Sequence, residues 1–141
     1  DTRIKKLENN EYDGIITSLS AMKRMGLTDL VSEVFDIENF VPQAGQGTIV
    51  VETRFDEDYY QLNLINDIET QHSSEIEFEF LQYMNASCRY PIGCYAYKKL
   101  QRWNAIGFFS PDEKKYIKQK ISSDSYKNLG KSLAEKFKSQ I

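Results

Sequence analysis

Three strand-like runs follow one another in the last third of the chain: YPIGCYAY, QRWNAIGFF and KKYIKQKIS. Turn chemistry separates the last two at SPDEK, residues 110–114. Consecutive strands with short connections pair antiparallel, because parallel pairing needs a long crossover. The runs lead into SYKNLGKSLAEKFKSQI, in which Tyr126, Leu129, Leu133 and Phe137 recur on one helical face. Three strands become stable when a helix covers their apolar face. The chain from about residue 68 onward therefore reads as a small α+β domain, a three-stranded antiparallel sheet covered by helices on one face.

The segment before these strands, residues 69–84, carries two signals. EIEFEF alternates with the period of a strand. Ile76, Phe80 and Met84 recur with the period of a helix, and Leu81 widens that face. No Gly or Pro interrupts the stretch, which decides for a helix. His72, the single histidine, falls in the polar start of this helix and is expected to be solvated and not catalytic. Lys114, Lys115, Lys118 and Lys120 make a basic strand edge. Its simplest role is to keep that edge from pairing with another sheet, not to bind nucleic acid.

The first half follows a different order, helix–strand–helix, which is an α/β pattern. Asp1 or Thr2 caps a first helix with Ile4 and Leu7 on one face, and Asn9-Asn10 stops it. Residues 13–19, DGIITSL, form a short apolar run suited to a strand buried on both faces. Ser18 or Ser20 then caps a short helix through Arg24, closed by Gly26. FVPQAGQGT, residues 40–48, is a Pro/Gly-rich crossover and a hinge candidate. TIVVETR is a β-branched strand. Asp56, Glu57 and Asp58 load the first turn of a following helix, with Tyr59, Leu62 and Ile65 on its inner face.

Composition excludes several classes. A net charge of −3 over 141 residues creates no field that recruits nucleic acid or an anionic membrane. No apolar run approaches the ~18–20 residues of a membrane span. No metal-binding cluster stands out. The chain has two cysteines and does not open on a secretory segment. That pattern leads to an expected cytoplasmic location with free thiols, in preference to a Cys88–Cys94 disulfide.

Both cysteines lie in NASCRYPIGCYAY, residues 85–97. Pro91 and Gly93 break the backbone after Cys88, which puts that thiol at a loop-to-strand junction beside Arg89. The residues alone leave two readings open, a small buried hydrophobe or an accessible nucleophile whose thiolate Arg89 favours.

Four segments, taken in order, carry a family resemblance. DTRIKKLENNEYDGIITSLSAMKRMGL resembles the stretch of porphobilinogen deaminase (hydroxymethylbilane synthase) that reads TR-x-x-KL, YDAIILA and GL-x-R-L-G-L. FVPQAGQGTIVVETR resembles its LPAVGQGA-x-x-IE-x-R segment. Ile76-Glu77 and Phe80-Leu81 resemble its AER-x-FL helix, and ASCRYPIGCYAY its GGC-x-x-PIG-x-YA segment. The resemblance spans essentially the whole chain and matches only the C-terminal half of the family's sequence.

The resemblance implies a layout. Residues 1–45 are the C-terminal part of a second, periplasmic-binding-protein-like α/β domain. Residues 46–67 are a crossover strand and helix returning to the first domain. Residues 68–141 are a third, cofactor-attachment domain.

It also implies roles. The family condenses four porphobilinogen units into hydroxymethylbilane, with loss of ammonia, in tetrapyrrole (heme) biosynthesis. Cys88 matches the cysteine that carries a dipyrromethane cofactor through a thioether bond. Arg3 and Arg24 match arginines that bind the acetate and propionate groups of cofactor and substrate. Guanidinium forks suit carboxylates, and hydrogen bonds to charged groups are worth about 1.5–3 kcal/mol each. Ser18, Ser20 and Ala21 match a strand-to-helix turn whose free N–H groups suit the same carboxylates. Gly45, Gln46 and Gly47 match the family's interdomain crossover, and Gln46 is expected to hydrogen-bond the cofactor. Cys94 is read as structural, and Arg54 as structural or supporting.

The family's catalytic aspartate belongs to the half that this chain does not match. No catalytic residue is therefore expected here, and the implied partners are porphobilinogen, its oligomers and an N-terminal half. Alone, the chain is expected to be inactive and to self-associate. The family carries Gly-Gly before its cysteine, where this chain has Ala86-Ser87. If those positions need positive φ, Ala and Ser strain the loop. That departure supports the alternative reading, a non-catalytic binding or scaffold module of the same fold.

Overall fold

The computed structural model describes residues 2–56, 59–85, 90–112 and 114–140. The chain divides into two units, Asp1–Asp36 and Ile37–Ile141.

In the first unit, α1 (Thr2–Glu8) stops where Asn10 adopts a φ of +58°. Helix α2 (Leu19–Arg24) begins at Ser18, whose hydroxyl accepts the Ala21 N–H at 3.4 Å. It closes at Gly26, φ +68°, where Leu27 N–H reaches back to the Met22 carbonyl at 3.0 Å. A single 3-10 turn follows at Thr28–Leu30. The strand expected over residues 13–19 does not form: the backbone there is irregular, and Ile16 is exposed. A strand buried on both faces needs a neighbour on each side to pair its N–H and C=O groups. Among the described residues no segment pairs with it.

The second unit holds the α+β body. Helix α3 (Ile68–Met84) starts at Asp67, whose carboxylate accepts the Thr70 N–H at 2.7 Å. That hydrogen bond and the Thr70 side chain hold the Asp67 carboxyl below its ordinary value. The helix ends at Asn85 in the left-handed conformation. The helical reading of EIEFEF is correct, because Ile76 and Phe80 are buried on one face and Leu81 and Met84 pack beside them. Strands β1 (Ile92–Lys99), β2 (Arg102–Asp112) and β3 (Lys115–Ser123) form an antiparallel sheet in that order. Leu100 and Gln101, both at positive φ, make the tight β1–β2 connection, as right-handed strand twist favours. Asp112 Oδ1 accepts the N–H groups of Lys114 and Lys115 at the β2–β3 turn. A register shift between Phe109 and Asp112 accommodates Pro111.

Helix α4 (Leu129–Lys138) lies on the same face as α3 and buries Leu129, Leu133 and Phe137. The aromatic rings of Phe80 and Phe137 meet edge to face at 5.2 Å. A Cβ on Gly130 would collide with the carbonyl oxygen of Ile76, so a residue without a side chain lets α3 and α4 approach this closely. Helices therefore cover one face of the sheet, as the strand pattern predicts.

Two expectations for residues 48–65 fail. TIVVETR pairs with no strand among the described residues, and Ile49 and Val50 are 83% and 78% exposed. The helix expected after it is reduced to a 3-10 turn, Tyr60–Leu64, with Tyr59 and Ile65 exposed and Leu62 half-buried. Both fail for one reason: an apolar face with nothing to bury against gives a short helix little stability. Glu57 and Asp58 lie outside the described residues.

Candidate functional site

The centre of the second unit is a buried carboxylate. Glu77 lies on the sheet-facing side of α3 and is 6% exposed. Its Oε2 accepts the Gly45 N–H at 2.7 Å, and its Oε1 accepts the Ala96 N–H at 2.9 Å. Burial pushes its carboxyl above the ordinary value, and the two N–H groups pull against that rise. The residue thus joins three segments: the glycine crossover, α3 and β1. Sequence reasoning used Glu77 only as a family marker, because a carboxylate in an otherwise amphipathic helix reads as a surface residue.

The crossover is held at further points. Cys94 N–H donates to the Pro42 carbonyl at 3.0 Å, and the Thr48 and Ser74 hydroxyls pair at 3.0 Å. Gly45 takes a φ of +74°, and a Cβ there would sit 2.8 Å from the Phe78 ring. Positive φ and a close ring together account for glycine at that position. Lys118 Nζ donates to the Glu38 carbonyl at 2.6 Å, and Lys120 Nζ to the Glu38 carboxylate at 2.5 Å. The Glu38 and Tyr97 side chains raise the Lys120 pKa. Two of the four edge lysines thus hold the chain before the crossover, a role beyond keeping the edge unpaired.

Cys94 is fully buried, and burial, with the Glu77 charge beside it, pushes its thiol well up. It is a packing residue, as the sequence suggests. Cys88 and its neighbours Ala86, Ser87 and Arg89 lie outside the described residues. Their flanks are defined: α3 ends at Met84 and β1 begins at Ile92. Gln46 is exposed, and its Oε1 accepts the Gln43 N–H at 3.3 Å within the crossover.

The other residues expected to bind carboxylates lie in the first unit. Arg3 is in the first turn of α1 and Arg24 ends α2, both exposed. The Ser18 and Ser20 hydroxyls pair at 2.7 Å at the exposed start of α2, and Ala21 N–H is engaged by Ser18. The capping expectation for Ser18 holds. Arg54 lines a shallow depression with Val51, Glu52, Tyr59 and Leu62. His72 departs from expectation. Its ring stacks on Tyr126 at 3.7 Å and meets Trp103 edge-on at 5.6 Å, so it is a packing residue at the rim of the core. Its ring partners lie far along the chain, so the local polar sequence does not reveal them. Among the described residues, no three His, Cys, Asp or Glu side chains form a metal-binding group, and no helix is long and apolar enough to cross a membrane.

Comparison with known proteins gives a consistent result. Residues 1–61 match the family model described as porphobilinogen deaminase, dipyromethane cofactor binding domain. Residues 72–139 match the one described as porphobilinogen deaminase, C-terminal domain. Relatives named porphobilinogen deaminase include one from Staphylococcus carnosus, 38% identical over 99% of this chain and 47% of its own length. One from Geobacillus kaustophilus is 35% identical over 95% of this chain and 45% of its own. One from Clostridium acetobutylicum is 31% identical over 96% of this chain and 47% of its own. The chain spans about half the length of the curated relatives it matches.

Proposed function

The chain belongs to the porphobilinogen deaminase family, and from that premise we propose that it is the C-terminal portion of a hydroxymethylbilane synthase. The whole enzyme would join four porphobilinogen units into hydroxymethylbilane and release ammonia, in the cytoplasm. In this reading residues 1–45 belong to a periplasmic-binding-protein-like α/β domain completed by an N-terminal half. Residues 46–67 return to a first domain, and residues 68–141 form the attachment domain.

Cys88 is the residue that would hold a dipyrromethane, through a thioether. Bound there, the group would supply an anchored nucleophilic pyrrole end. The donor set suits such a group: every pyrrole carries two carboxylates, and Arg3, Arg24, Ser18 and Ser20 are exposed cations and hydroxyls. Gln46 would add an amide hydrogen bond, and Ala21 would offer its N–H by exchanging it from the Ser18 cap. These residues bind and orient; none of them supplies the proton-shuttling carboxylate, so the chain alone would not turn over substrate.

The observation that carries the proposal is collinearity. Two successive family models cover residues 1–61 and 72–139 in the family's own order. Reducing intact-mass spectrometry with peptide mapping of Cys88, on protein from the complete gene, tests it. A dipyrromethane adduct on Cys88 is expected. An unmodified Cys88 in folded, full-length protein would overturn the proposal in favour of a non-catalytic module, for which Ala86-Ser87 would be the first cause to test.

A further inference from the structure

We infer that Glu77 is a positioning residue for the reaction proposed above: it holds the Gly45-Gln46 crossover and the two elements that flank Cys88 as one body. The inference rests on that reading for its catalytic consequence and on geometry for the tie itself.

Cys88 is joined to the fold by α3 on one side and by β1 on the other. Glu77 sits on α3 and binds Ala96 of β1, so one carboxylate spans both flanks. Its other oxygen binds Gly45, next to the glutamine expected to contact the cofactor. If the crossover settled elsewhere, Oε2 of this carboxylate would lose its Gly45 donor while Oε1 kept Ala96. A core position beside Ile76 and Phe80 would ordinarily be apolar, and burying a carboxylate there is unfavourable unless its hydrogen bonds are made. Both partners are donors, so the site needs two acceptor atoms. Glutamine offers one acceptor and turns an NH₂ toward the second N–H; an apolar residue leaves two buried N–H groups unpaired. Only a carboxylate meets the requirement. The contacts of Cys94 with Pro42 and of Thr48 with Ser74 support the same placement.

In the proposed reaction the attachment point and the crossover would have to stay aligned, since small misplacements of reacting groups lower rates steeply. Glu77 supplies that alignment without touching substrate.

The test uses full-length protein from the complete gene, as wild type, Glu77→Gln, Gly45→Ala and the double variant. Amide hydrogen exchange is read at residues 45 and 96 and across α4, together with kcat and KM for porphobilinogen and the mass of the Cys88 peptide. Glu77→Gln is expected to speed exchange at 45 and 96 by about tenfold or more, leaving α4 unchanged. It is also expected to lower kcat about tenfold, with KM little changed and the Cys88 adduct retained. Gly45→Ala strains the same contact from the other side, through the positive φ at residue 45, so the double variant is expected to be no slower than the slower single one. Unchanged exchange at 45 and 96 overturns the tie. Effects on kcat that multiply in the double variant overturn the positioning role. Absence of an adduct in wild type removes the catalytic consequence by removing the reading beneath it, and the exchange arm still decides the tie. That arm needs Glu77→Gln alone, so a Gly45→Ala protein that does not accumulate leaves the question decidable.

Discussion

The carboxylate of Glu77 accepts the N–H of Gly45 at 2.7 Å, although 32 residues separate them. Its second oxygen is used by Ala96, so neither oxygen is spare. Burial raises the Glu77 carboxyl above the ordinary 4.5. Between 4.5 and that raised value, the folded state holds a proton that the unfolded state has released. The stability linked to this group is therefore full below about pH 4.5 and is lost as pH rises through the folded value. Urea unfolding across this window should show a downward slope with pH in wild type that is missing in Glu77→Gln. The variant should also lose about 1–3 kcal/mol near neutral pH, for one unpaired buried N–H. Parallel pH profiles for the two proteins would refute the assignment.

The contact of Gly130 with Ile76 leaves no room for a methyl group. Gly130→Ala should push α4 off α3 and destabilise the second unit by about 1–3 kcal/mol, in spite of alanine's better helix propensity. Chemical denaturation of the full chain measures this. A variant as stable as wild type would mean that the helices pack less closely than described.

The two thiols should behave differently. Cys94, fully buried and with its thiol pushed well up, should resist iodoacetamide at pH 8 in folded protein and react once the chain is denatured. Peptide mapping after a timed pulse reads the result. Rapid native alkylation of Cys94 would show that the contact of β1 with the crossover opens readily.

Ile49, Val50 and Val51 form an exposed apolar run without a ladder partner among the described residues. Such runs associate. Sedimentation velocity of the 141-residue chain should show mass rising with concentration, and Val50→Lys should reduce it by disfavouring edge pairing. A chain that stays monomeric at every concentration, with residues 13–19 strongly protected from exchange, would contradict this.

What was legible in the sequence were features governed by neighbours along the chain. The Ser18 cap and the Gly26 stop depend on residues within one or two turns. The three strands, and the apolar stripe of Leu129, Leu133 and Phe137, follow from period alone. Helix α3 needed only the absence of Gly and Pro to outweigh the alternation in EIEFEF.

Other features were decided at a distance. DGIITSL and TIVV have the composition of strands, but a strand exists only with a partner, and none is present among the described residues. His72 reads as a solvated helix-start residue until Trp103 and Tyr126 are brought against it. Lys118 and Lys120 read as an edge guard until Glu38 crosses their strand.

By itself, then, the sequence determined the local elements, the sheet-and-helix body and, through motif order, the family. Tertiary structure alone decided that Glu77, and not one of its many acidic neighbours, would be the residue that holds the crossover to the sheet. Period and propensity report which way a side chain points. They carry no information on which backbone N–H groups, drawn from remote segments, will converge on it.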